Sequence, residues 1–250
     1  MHRARLWQLV ALFTAAITFS GIVSSAPCVS PVSSCIGWLT TGGTAGRLLL
    51  YRTYPLDTRN ESVTSALVAI HGAGRDADNY YRSAVAAGFL ADALDTTIII
   101  APRFASGKAR GDGGRECDDK LAPDEMSWFC GGKEHWKDGG TSALAPNVTS
   151  YDVVDEIVRL LARREVFPNL RSIVIAGHSA GGQFVVRFAM ANRIHDTVGV
   201  PISYVAANPS SYTYLDTLRP THAAMVSRYP TLPPGYQPVT SASAQKSFVE

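Results

Sequence analysis

The chain has 250 residues, of which 46% are hydrophobic and 18% charged, a balance that builds a core rather than a disordered chain. Its 23 basic and 21 acidic residues leave a formal charge of +2, and no dense Lys/Arg patch is interleaved with aromatics, which sets nucleic-acid binding aside. That length suits one domain with a sizeable core.

At the N-terminus, Arg3 and Arg5 precede a mostly apolar stretch from Leu6 to Val23, and the small residues Ser24, Ser25 and Ala26 follow it. The pattern is that of an export signal over residues 1–25, cleaved after Ser25 or Ala26, and it places the protein outside the cell. An uncleaved anchor is the alternative, because the stretch nearly reaches the ~20 residues that span a bilayer. Gln8, Thr14, Thr18 and Ser20 favour cleavage, and no later segment is apolar enough to span. All four cysteines, Cys28, Cys35, Cys117 and Cys130, follow the signal. An even count in an exported chain points to disulfides, with local pairing of Cys28 to Cys35 and Cys117 to Cys130 preferred over the other two connectivities. Zinc is the alternative, but there is no C-x-x-C and no His pair at ligand spacing. Asn60-Glu61-Ser62 and Asn147-Val148-Thr149 are glycosylation sequons, meaningful if the source is eukaryotic.

Beyond a Gly/Thr/Ser-rich stretch, Leu48 to Tyr51 reads as an early antiparallel strand. Three short, non-alternating apolar runs follow: Ala66 to Ile70, Thr97 to Ala101 and Ser172 to Ala176. They have the character of buried parallel strands, and Ile202 to Ala207 resembles them. Helical patterns lie between. One covers Asp78 to Leu94, and one covers Tyr151 to Val166 with Val153, Val154, Ile157, Leu160 and Leu161 on one face. A third covers Gly181 to Asn192 with Phe184, Val185 and Phe188 inward. This alternation predicts an α/β domain with a mostly parallel sheet flanked by helices. The segment from Phe104 to Ser150 shows no long period and reads as an excursion near a site mouth or a plain surface loop. Its Trp128 and Trp136 are expected to pack the loop rather than contact a ligand. The domain is bounded at 26–219, with an irregular tail over 220–250.

Chemistry concentrates at two places. Gly177-His178-Ser179-Ala180-Gly181 stands between a strand and a helix, the setting in which G-x-S-x-G lifts a serine hydroxyl above a sheet as a nucleophile. The helix that follows aims its N-terminal amides at developing negative charge. His71-Gly72-Ala73-Gly74 ends an earlier strand and can supply a second backbone donor to an oxyanion. Ala73 is the first choice for that donor and Gly74 the second, with Ala180 the donor beside the nucleophile. His71 is expected to shape the loop. The same stretch, Gly72 to Ala77, also satisfies G-x-G-x-x-A, so dinucleotide binding is a rival. The acidic residue at the right separation, Asp95, precedes the next strand instead of ending it. No G-x-x-x-x-G-K-[ST] occurs, and the acidic run Asp112 to Asp119 lacks calcium-loop spacing.

These two motifs, with Phe167-Pro168-Asn169 and Asn208-Pro209-Ser210-Ser211-Tyr212, resemble the α/β-hydrolase superfamily in its secreted, esterase-like serine-hydrolase branch, over about Leu48 to Asp216. The resemblance implies a Ser-His-acid triad acting on small-molecule or polymer esters through an acyl-enzyme, with no metal or organic cofactor. It also implies that acid and histidine follow the serine on loops after later strands. Here the last stretch carries Pro230, Pro233, Pro234 and Pro238 and then a Ser-rich tail, with no buried-strand pattern, so the final strands are expected to be missing. His222 is the better candidate base and Asp216 the candidate acid, while His195 reads as a surface residue. A catalytically inactive or truncated hydrolase-fold chain is the alternative function.

Overall fold

The computed structural model describes residues 26–41, 43, 46–107, 117–129 and 135–213. Residues 1–25, read above as an export signal, together with Cys130, Asp216, His222 and residues 220–250, lie outside the described residues. Six strands form one sheet in the order β1-β2-β4-β3-β5-β6: β1 (Ile36–Thr40), β2 (Arg47–Arg52), β3 (Ser65–Ile70), β4 (Thr97–Pro102), β5 (Ser172–His178) and β6 (Ile202–Ala207). β1, β2 and β4 pair antiparallel, whereas β4–β3, β3–β5 and β5–β6 are parallel. The predicted α/β class with a mostly parallel sheet is the observed one.

Three helices cover the sheet: α1 (Ala77–Leu90), α2 (Ser150–Leu161) and α3 (Ala180–Ala191). α2 starts where a capping box forms. Thr149 Oγ1 accepts the Asp152 N–H at 3.1 Å, and Asp152 Oδ2 accepts the Thr149 N–H at 2.9 Å. Its Val153, Val154, Ile157, Val158 and Leu161 face inward and are fully buried. They join Phe184, Val185 and Phe188 of α3 and the alternate strand residues Ala66, Val68, Ile70, Ile98, Ile100, Ile173 and Ile175 in the main core. Each buried Val, Leu, Ile or Phe among them contributes roughly 1.5–3 kcal/mol on burial. The opposite face holds a smaller core, where Tyr81, Ala84 and Val85 of α1 meet Ala69, Ile99, Ala101 and Cys35.

All three helices end or begin away from their predicted bounds, α3 by a single residue at each end. α1 stops at Leu90, not Leu94, because Asp92 turns left-handed at φ 52° and the Ala93 N–H closes back on Gly88 O at 3.0 Å. α2 stops at Leu161 instead of Val166. The Arg163 carbonyl then accepts the Val166 and Phe167 amides, at 3.0 and 2.8 Å, as the chain turns toward β5. β1 was not predicted at all. Its Trp38 lies under the Arg47 guanidinium, 3.9 Å from the ring centroid, across the β1–β2 pair.

Cys28 and Cys35 form a disulfide, as the local pairing predicts. Cys117 is also disulfide-bonded, and the pairing expected with Cys130 falls outside the described residues. The long excursion after β4 is packed: Met126, Trp128 and Trp136 are fully buried, and the Trp128 indole N–H donates to Gly140 O at 2.9 Å. Both tryptophans therefore serve the core, as expected. Among the described residues no helix is long and apolar enough to cross a membrane.

Candidate functional site

The strand order places the site. From β3 the chain crosses through α1 to β4 on one side, then returns past β3 to β5 on the other. The order reverses between β3 and β5, and in open α/β sheets a crevice opens at the carboxyl ends of the strands at such a point. Ile70, the last residue of β3, pairs with Gly177, two residues before Ser179. Both sequence motifs therefore meet at the reversal.

Ser179 occupies the turn between β5 and α3 with φ 59° and ψ −121°, a conformation that costs roughly 1–3 kcal/mol in a residue with a Cβ. Three backbone hydrogen bonds hold it there. Its N–H donates to Ala207 O at 3.0 Å, and its carbonyl accepts the amides of Gln183 at 2.9 Å and Ser210 at 3.1 Å. The glycines are demanded by contact. A Cβ on Gly177 would lie 2.3 Å from Gly181 O, one on Gly181 would lie 2.3 Å from Ile70 O, and one on Gly182 would lie 2.6 Å from Ala207 O. The elbow is thus pressed against β3 on one side and β6 on the other. Sheet order, elbow and glycine spacing together form the α/β-hydrolase arrangement, described here through its sixth strand.

The amides of Ala180, Gly181 and Gly182 open α3 ahead of its first i to i−4 bond, from Gln183 to Ser179. Across the crevice the chain leaves β3 through His71 to Arg75, and Arg75 N–H closes a turn on Gly72 O at 3.1 Å. Ala73 and Gly74 are exposed, and their amides donate to no protein acceptor among the described residues. The predicted donors Ala73, Gly74 and Ala180 thus lie on the two loops that flank the reversal.

His71 is fully buried between these loops and the next strand. Phe104 N–H donates to its Nε2 at 2.9 Å, so Nδ1 carries the proton and donates to Gly72 O at 2.9 Å. Burial lowers its pKa to about 4, against a smaller upward pull from the Gly72 carbonyl. It is a neutral brace with both nitrogens engaged, ringed edge-on by Trp136 and Phe104. The sequence reading of His71 as a loop-shaping residue matches this geometry.

The Ser179 hydroxyl lies 3.4 Å from Ser210 Oγ, just past β6 in the Asn208–Tyr212 segment. Asn208 Nδ2 approaches His178 Nε2 at 3.4 Å, and the left-handed Asn208 (φ 41°) turns that segment over the elbow. His195, read as a surface residue, is exposed and meets the Tyr204 hydroxyl at 3.1 Å. His135 Nδ1 accepts the Lys137 amide at 3.3 Å. Sequence reasoning missed the braces that fix the elbow from outside. Asp138 accepts from Gln183 at 2.6 Å and pairs with Arg187, whose pKa burial lowers and which in turn donates to Ser211 Oγ at 3.1 Å. These contacts join residues far apart in the chain and carry no local pattern. The dinucleotide rival fares poorly, because Asp76 and Asp78 put carboxylates at the start of α1 where a pyrophosphate would sit.

No family model and no curated protein matches the sequence. Among solved structures the chain is similar to a poly(aspartic acid) hydrolase-1 from Sphingomonas sp. KT-1, with 24% identity and a TM-score of 0.45, over 72% of this chain and 59% of that one. It is similar to a poly(3-hydroxybutyrate) depolymerase from Bordetella parapertussis, with 22% identity and a TM-score of 0.46, over 71% and 53%. It is also similar to a siderophore hydrolase from Aspergillus nidulans, with 18% identity and a TM-score of 0.36, over 83% and 63%. The chain thus spans less than two thirds of the length of each.

Proposed function

We propose that this α/β-hydrolase-fold chain is an exported serine hydrolase that cleaves carboxylic esters or similar acyl bonds through an acyl-enzyme on Ser179. The observation that carries the reading is the strained serine at the strand reversal, held by three backbone bonds between two loops whose Ala73, Gly74 and Ala180 amides have no acceptor among the described residues. In this scheme Ser179 Oγ attacks the carbonyl carbon of the ester. The amides of Ala180 and of Ala73, with Gly74 beside it, receive the negative charge that develops on the carbonyl oxygen. Collapse expels the alcohol, and water then attacks the acyl-serine and releases the acid.

The base must take the serine proton and return it to the leaving alcohol. His71, His135 and His195 make their described contacts away from the Ser179 hydroxyl and His178 meets Asn208; from their place after Ser179 in the sequence, we propose His222 as the base and Asp216 as its acid. The Cys28–Cys35 disulfide suits the oxidising setting that export implies. Ester substrates, small or polymeric, remain the proposed partners, with no cofactor in the scheme.

The test is hydrolysis of p-nitrophenyl butyrate by the purified chain and by Ser179→Ala and His222→Ala. Turnover that falls roughly 10³-fold or more in both variants supports the scheme. A folded wild-type chain with no turnover replaces it with the second reading, a hydrolase-fold protein without catalysis. The contact favouring that reading is Ser210, the side chain that faces the Ser179 hydroxyl among the described residues.

A further inference from the structure

We propose that Arg75 and Asp119 act as a positioning couple that aims the oxyanion loop at Ser179, an inference that rests on the hydrolase reading above. Arg75 follows the loop glycines and adopts a left-handed φ of 56°, unfavourable for a side chain of its size. Its guanidinium occupies three acceptors at once. Nε and Nη2 donate to the two oxygens of Asp119 at 2.6 and 3.2 Å, and Nη1 donates to Ala73 O at 2.9 Å. Both charged side chains are only 17% exposed, so the pair is shielded from much of the solvent screening that weakens surface ion pairs.

Asp119 is itself anchored. Its Oδ2 accepts the Ser106 amide at 2.7 Å, and its own amide donates to Ser106 O at 3.1 Å. The excursion after β4 therefore presents a fixed carboxylate to a loop that follows β3.

The planar trans peptide converts this hold into direction. When a carbonyl is held on one side, the N–H across the same bond points to the other. The Gly72 carbonyl accepts from His71 Nδ1 and from the Arg75 amide, which orients the Ala73 N–H. The Ala73 carbonyl accepts from Arg75 Nη1, which orients the Gly74 N–H. The first peptide is locked by a buried histidine and a turn. The second is the central peptide of that turn, with Arg75 as the side-chain holder of its carbonyl among the described residues and a glycine on its far side that leaves the peptide able to flip. Lysine in place of Arg75 would keep the charge but could not span both Asp119 oxygens and the carbonyl. Neither residue needs to touch substrate; they act through the loop amides.

The test measures kcat and KM for p-nitrophenyl butyrate in the full chain with Arg75→Lys, Asp119→Asn and the double variant, each assayed well below its own melting temperature. The couple predicts that each single change lowers kcat roughly 10- to 100-fold, short of deleting an oxyanion donor outright, with KM within about twofold. The double variant should lose no more than the worse single one, because both break the same hold. Arg75→Lys preserves charge and bulk, so it provides a folded variant should Asp119→Asn destabilise the loop. A kcat within twofold of wild type in folded Arg75→Lys overturns the couple, as do losses that multiply in the double variant. An inert wild-type chain overturns the hydrolase reading and the couple together. An active wild type silenced by Ser179→Ala upholds the hydrolase reading whatever the couple variants show.

Discussion

Gly181→Ala tests whether the elbow is held by backbone contact. On propensity alone, alanine in the first turn of α3 would stabilise the helix by up to about 1 kcal/mol. The structure predicts the opposite sign. The new Cβ would sit 2.3 Å from Ile70 O and 2.6 Å from His71 O, and both obstacles are backbone atoms of the central strand and its exit. Relief to ordinary contact requires a shift of about 1 Å in the packed middle of the sheet, an overpacking that costs about 1–3 kcal/mol. For a chain of this size that corresponds to a melting temperature lower by roughly 5 °C. The shift also moves Ser179 relative to the Ala73 loop, and a displacement of about 1 Å in a reacting geometry lowers rate roughly 100-fold. Differential scanning calorimetry and the rate of fluorophosphonate labelling read the two effects separately. A variant that melts at or above the wild-type temperature and labels at the wild-type rate would refute the close-contact argument.

Other consequences follow from buried groups and covalent links. His71 is neutral in the folded chain, with a pKa near 4 against about 6.5 when unfolded. Its contribution is full above pH 6.5 and is lost as the unfolded state takes up a proton between pH 6.5 and 4. That loss amounts to on the order of 3 kcal/mol, visible as a falling denaturation midpoint over this range. Replacing His71 with glutamine should flatten that acid limb, and an unchanged limb would assign it to other groups. Converting both Cys28 and Cys35 to serine opens a short loop and should lower unfolding free energy by roughly 2 kcal/mol in urea titrations. In a eukaryotic secretion host, the folded chain should carry a glycan at exposed Asn147 and none at Asn60. Asn60 is buried, and its Oδ1 accepts the Ser62 amide and hydroxyl, at 3.0 and 2.7 Å, in a half-buried turn. Peptide mapping with a glycosidase checks this, and a glycan on Asn60 of secreted, folded protein would contradict it.

The parallel core was legible because Ala66–Ile70, Thr97–Ala101, Ser172–Ala176 and Ile202–Ala207 are short apolar runs bounded by turn residues. The structure extends three of them by one or two residues and leaves the fourth unchanged. The elbow was legible because its glycines report backbone contacts that no other residue permits. β1 was hidden, since Ile36-Gly37-Trp38-Leu39-Thr40 has weak local preference and gains its order by pairing with β2. The end of α1 was hidden because aspartate, not glycine, takes the left-handed position at Asp92. The excursion after β4 looks polar along the chain, yet Met126, Trp128 and Trp136 carry it into the core. Arg75–Asp119 and Asp138–Gln183–Arg187 join residues separated by dozens of positions, and only the folded arrangement reveals them.

The central claim is that the Ser179 hydroxyl is a nucleophile presented to the crevice. Incubating the folded chain with a fluorophosphonate and sequencing the adducted peptide by mass spectrometry tests it most directly. The account predicts a phosphonyl group on Ser179, absent from Ser179→Ala and from heat-unfolded protein. An adduct on the neighbouring Ser210, or none on the native chain, would contradict it.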